Sequence, residues 1–180
     1  PQRLWKPLEW KKTHHTCGNS LRELFNKCIP EAYVMSGFDV MRRAHWHQFQ
    51  VLTKRADRIE AMNSRIDWPE NLWMGVSVET AEYKFRIDHL RDTSAKTKFL
   101  SLEPLIGDLG DLNLSGIDWV IVGGESGPGA RPMDSQWGIN IGKQCAHGGV
   151  HYSFRTGAGG QKKRTARDRE GRTWGGCATA

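Results

Sequence analysis

The chain has 180 residues, 38% of them hydrophobic and 26% charged, with a net charge of +6, which is the composition of a globular domain with a full core. No apolar run approaches the roughly 20 residues needed to span a bilayer, and no signal-peptide pattern opens the chain. A membrane protein is therefore not expected. Cys17, Cys28, Cys145 and Cys177 stand far apart with no C-x-x-C pair, so they read as reduced thiols of a cytoplasmic protein. The positive charge lies at the ends, +3 over residues 1–12 and +4 over residues 161–180. Charge placed this way suits solvated tails better than a nucleic-acid face. The expectation is one domain over residues 1–160 followed by a basic, flexible tail over 161–180.

In chain order, a poor strand near 13–17 precedes a helix through Phe25. Pro30 suits the first position of a helix reaching about Arg43. Short apolar runs then recur at 49–53, 72–78, 99–104, 119–124 and 150–154, a pattern that suits strands buried on both faces. Between them, residues 55–65 and 80–92 carry apolar side chains at helical spacing. Residues 105–117, with three glycines, read as a loop. Asp134 and Ser135 can cap a helix through about His147, with Gly148-Gly149 as its stop.

Thr53, Ser77, Ser101 and Glu125 are spaced by 24 residues each, the length of one strand–helix unit, so successive strands should run parallel. Five or six units make an α/β fold, either a partial (β/α) barrel or an open sheet. Ligands of such folds bind beyond the carboxyl ends of the strands. There the sequence places Lys54 and Arg55, then Ser77 and Glu79, then Glu103, then "GGES" (Gly123, Gly124, Glu125, Ser126). Three carboxylates with two cations suit a small molecule bearing an amine and a carboxylate, or ribose hydroxyls. A Glu after a strand also serves as a helix cap, and a Lys-Arg pair as a solvated one. Asn19-Ser20 before Leu21 reads as a cap. The His14-His15 and His45-x-His47 pairs lack the remainder of a zinc site, and "GGESGPG" lacks the Gly-Lys-Ser/Thr end of a Walker loop. A phosphorylated metabolite held by Lys54, Arg55 and the amides of Gly123–Gly129 is an alternative.

The ordered set "NSLRELF", "FQVLTKR", "GVSVE", "SLEPLIG" and "WVIVGGESGPGARPM" resembles a phage and bacterial family of unknown function. It is also called the three-Cys-motif family and is grouped with radical-SAM-like barrels. The resemblance runs from about Trp5 over nearly the whole chain. It implies a partial barrel with Asn19, Ser20, Glu23, Glu79, Glu103, Glu125 and Arg131 around a ligand, S-adenosylmethionine or a substrate. It also implies three closely spaced cysteines that ligate a [4Fe–4S] cluster. The four cysteines here are too far apart for one cluster loop, so no cofactor is expected for this chain alone, and the match is to the C-terminal two-thirds or so of a family member. Two departures stand out: "NSLRELF" has Glu23 where an Asp is expected, and the closing strand reads Phe154-Arg155-Thr156-Gly157-Ala158 instead of Phe-Lys-Gln-Trp-Gly. A non-catalytic module working with a protein partner is a further alternative.

Overall fold

The computed structural model describes residues 4–10, 15–17, 24–155, 166–167 and 173–174. Six parallel strands form one sheet in sequence order: β1 (His15–Cys17), β2 (Gln48–Thr53), β3 (Leu72–Ser77), β4 (Thr97–Leu102), β5 (Trp119–Gly123) and β6 (His151–Arg155). The order expected from the repeat is the order found. The sheet does not close on itself, an arrangement consistent with a partial barrel. A separate antiparallel pair, β7 (Ala166–Arg167) and β8 (Thr173–Trp174), lies within the segment expected to be a tail. The rest of that tail, and the helix expected before Phe25 (apart from Leu24 and Phe25), lie outside the described residues.

Among the described residues four α-helices lie between the strands: α1 (Glu31–Arg43), α2 (Ala56–Met62), α3 (Phe85–Arg91) and α4 (Ser135–Gly148). Pro30 proves to be the N-cap of α1 and not its first helical residue. At α4, Asp134 accepts a hydrogen bond from the Gln136 amide, and Gly149 closes the helix at φ +68°, a conformation that favours glycine. The helix expected over 80–92 is divided into a 3-10 turn, Ala81–Tyr83, and α3. The division accompanies Arg86, whose guanidinium reaches back to the Ser77 carbonyl at 2.7 Å.

Strand alternation sorts the side chains into two layers. On one face Phe49, Val51, Met74, Val76, Leu100 and Val122 join Phe38, Ile59, Leu90 and Ile141 from all four helices in the main core. The opposite face carries a second cluster of Phe99, Trp119 and Ile121, with Leu52 and Trp73 against it. Gly75 belongs to this second face. A Cβ there would lie 2.4 Å from the Phe99 ring, so the absence of a side chain is what admits the ring. Asn71 ties the end of α1 to the start of β2 through Nδ2 contacts to the carbonyls of Met41, Ala44 and His47 at 3.0, 3.2 and 2.8 Å.

Candidate functional site

Register decides which strand-end residues are neighbours. Ser77 pairs with Ser101, both of them buried. Glu79 and Glu103 each stand two residues further on, so they share a level on strands about 4.8 Å apart. The next step is shorter, because β4 and β5 are joined by the 105–117 loop and not by a helix. Ser101 pairs with Ile121, a step of 20 residues, and Gly123 pairs with Arg155. The level of Glu79 and Glu103 is therefore continued by Gly123 and Arg155. Glu125 lies two residues beyond it, which corrects the equivalence inferred from the 24-residue spacing. Thr53 pairs with Val76 and so faces the helix layer, one residue out of step with Ser77.

Glu79 is 6% exposed. Its Oε2 accepts from Arg86 Nη1 at 3.1 Å, and its Oε1 forms an ion pair with Lys54 Nζ at 2.5 Å. Arg86 is itself buried, with its guanidinium carbon 4.1 Å from the centre of the Tyr83 ring. Burial of an ion pair costs desolvation of both groups, and the additional hydrogen bond to Ser77 offsets part of it. Beside this trio, Glu103 Oε2 accepts from Arg155 Nη1 at 3.2 Å. Gly123 leaves room for that pair, since a Cβ there would stand 2.7 Å from Glu103 Oε1 and 3.1 Å from the Arg155 carbonyl. The chain after β4 returns across the strand ends, with Leu105 N donating to Gly123 O and Ile106 N to Glu79 O.

Glu125 belongs to another arrangement. Its Oε2 accepts from the backbone N and Nε of Arg131 at 2.9 and 2.8 Å, and its Oε1 accepts from Nη2 at 2.9 Å. These hydrogen bonds hold the Glu125 carboxyl down at about 2. The glycine-rich turn is thus clipped shut by its own ends, with Gly127 and Gly129 at positive φ, Ser126 exposed, and Gly124 against Met133. Arg55 lies next to Lys54, and its amide donates to Thr53 Oγ1. Asn19, Ser20 and Glu23 lie outside the described residues.

Sequence reasoning missed Arg86, Tyr83 and Arg155. The signal for Arg86 was present. It shares a helical face with Tyr83, Ile87 and Leu90, where an arginine is out of place unless a buried carboxylate receives it. Arg155 is marked by alternation with His151 and Ser153 along β6.

Cys17 is the last residue of β1, Cys28 is exposed before α1, and Cys145 is buried in the helix layer, where burial pushes its thiol up to about 11. Among the described residues no group of three His, Cys, Asp or Glu forms a metal cluster, and no helix is long and apolar enough to cross a membrane. A cavity of about 1030 Å³ opens at the other end of the sheet, lined by Thr97, Asp118, Lys143, His147 and His151. It lies at the amino ends of β4–β6, the end of parallel α/β folds that serves stability.

A family model described as "Protein of unknown function (DUF5131)" matches residues 1–179. No curated protein and no solved structure matches the chain.

Proposed function

The chain belongs to the DUF5131 family, and we propose that it is a radical-SAM-like protein with a polar small-molecule site at the carboxyl ends of β3, β4 and β6. The observation carrying this reading is the buried Glu79 held between Lys54 and Arg86, one strand from the Glu103–Arg155 pair. Such pairs can exchange partners with a ligand that carries both an ammonium and a carboxylate. The ammonium takes Glu103 and the carboxylate takes Arg155. The α-amino-acid end of S-adenosylmethionine has this chemistry, and when bound that molecule supplies an electrophilic sulfonium centre.

Cys28 and Cys145 do not fit an iron–sulfur cluster at this mouth. Cys145 lies among the helices, and Cys28 precedes α1. No step is therefore routed through a cluster. Anaerobic reconstitution with iron and sulfide should leave this chain without cluster absorption, and a stoichiometric cluster would overturn that expectation.

The binding reading is tested by calorimetric titration of S-adenosylmethionine into wild type, Glu103→Gln and Arg155→Ala. Loss of one charged hydrogen bond is worth about 1.5–3 kcal/mol, so each variant should bind roughly ten- to a hundredfold more weakly with an unchanged circular dichroism spectrum. The absence of saturable binding to wild type, or unaltered affinity in both variants, refutes it.

A further inference from the structure

The tryptophans near the N-terminal 3-10 turn take no part in the strand-end site. Trp5, Trp10 and Trp46 are 43%, 36% and 37% exposed, three of the six large apolar side chains that stand exposed among the described residues. Trp5 and Trp10 flank the turn Lys6–Leu8, and Trp46 lies between α1 and β2. The two segments are tied together. Trp46 Nε1 donates to the Trp10 carbonyl at 3.0 Å, and His47 Nε2 to the Pro7 carbonyl at 2.9 Å. Trp10 meets the buried His47 at 5.8 Å between ring centroids, and Trp46 meets His45 at 5.2 Å. These indoles are held in place although solvent reaches them, and exposed apolar groups gathered in one patch mark an interaction surface. The patch lies at the amino end of β2, away from the mouth.

We infer that this patch binds single-stranded nucleic acid, its bases stacking on the indoles while the cations of the same segment meet the phosphates. Residues 1–12 carry Arg3, Lys6, Lys11 and Lys12 against Glu9, a net +3. By itself that charge suits a solvated tail. The structure adds the tryptophans interleaved with it, and Lys6 is exposed between Trp5 and Trp10. Arg42 and Arg43 beside the patch contribute little, since Asp39 and Asp67 pair with them. A partner must therefore offer anionic groups and flat apolar ones at short intervals. An unpaired strand does so at every nucleotide, whereas a duplex keeps its base faces stacked inside. An anionic membrane fits less well. Interfacial tryptophans use their N–H at the headgroup level, and that of Trp46 is already given to a backbone carbonyl. The three-residue Lys6–Leu8 turn is also too short to lay an apolar helical face on lipid. An acidic peptide supplies the charge without the flat rings.

The test is fluorescence anisotropy of the full chain with a labelled oligothymidylate of about 15 nucleotides, and with an oligouridylate of equal length to separate DNA from RNA as the source. Binding should saturate, and log affinity should fall with log salt at a slope of about −2, three charges at about 0.7 each. Lys11→Gln together with Lys12→Gln should flatten that slope by more than half. Trp46→Ala and, separately, Trp10→Ala should weaken binding roughly five- to hundredfold and leave the slope and the circular dichroism spectrum unchanged. Poly-glutamate, which has charge but no rings, should compete far less well. No saturable binding, competition by poly-glutamate equal to that of the oligonucleotide, or undiminished affinity in both tryptophan variants overturns the inference. Capture by phosphatidylserine vesicles without oligonucleotide binding assigns the patch to a membrane and overturns it as well. If one tryptophan variant fails to fold, the other and the lysine pair decide.

Discussion

Replacing Gly75 with alanine tests the packing of the second face directly. The added Cβ would stand 2.4, 2.5 and 2.6 Å from three atoms of the Phe99 ring, about an ångström inside ordinary contact. The ring is 3% exposed and meets Trp119 at 5.8 Å between centroids, so it has no solvent to move into. Overpacking of this kind costs about 1–3 kcal/mol. Removing a glycine from a strand returns about 0.5–1 kcal/mol. The net loss is about 1–2 kcal/mol, or a fall in melting temperature of roughly 2–8 °C for a chain of this size. Thermal denaturation followed by circular dichroism measures it. Phe99→Leu removes the obstructing ring, so the double variant should be more stable than the sum of the single effects by at least about 1 kcal/mol. Unchanged stability in Gly75→Ala, or strict additivity with Phe99→Leu, would show that the two positions do not compete for the same space.

Arg86→Met leaves Glu79 buried without its inner partner and should cost about 3–5 kcal/mol in urea unfolding. Adding Glu79→Met should return much of that loss. Glu125 has a folded carboxyl near 2 against an ordinary 4.5. Its clip to Arg131 therefore supports the folded state fully above the ordinary value and loses that support as pH falls toward 2. In Arg131→Gln an NMR titration of the Glu125 carboxyl carbon should move its midpoint back up toward 4.5, and an unmoved midpoint would assign the shift to another cause. Asn71→Ala leaves three backbone carbonyls without their shared donor and should cost about 1–3 kcal/mol in the same unfolding assay.

The strands were legible because a parallel sheet buried on both faces writes itself as short apolar runs. The helix-free connection between Leu102 and Trp119 was legible from its glycines. The site was half legible. Lys54, Glu79 and Glu103 announce themselves as charges directly after apolar runs. A constant spacing, however, implies a constant register only where the connections are alike. The helix-free link after β4 is shorter, so Glu125 moves off the level that Gly123 and Arg155 occupy. Arg86 was hidden for a different reason. Helical periodicity records which positions face inward, and an inward arginine is explained only by a partner that lies in another element.

The strand order has a consequence for how the chain comes to be folded. Every strand from β2 to β6 pairs with the strand immediately before it in the sequence. Parallel sheets are ordinarily slow to form, because distant segments must meet before any contact rewards them. Here each segment, as it leaves the ribosome, finds its template already made, and the longest wait is the passage from β1 through α1 to β2. Growth is vectorial, and no early strand has to be held in reserve for a late one. A nascent chain halted after any unit would present a native sheet with one fewer strand, and the Glu103–Arg155 pair would be among the last contacts made.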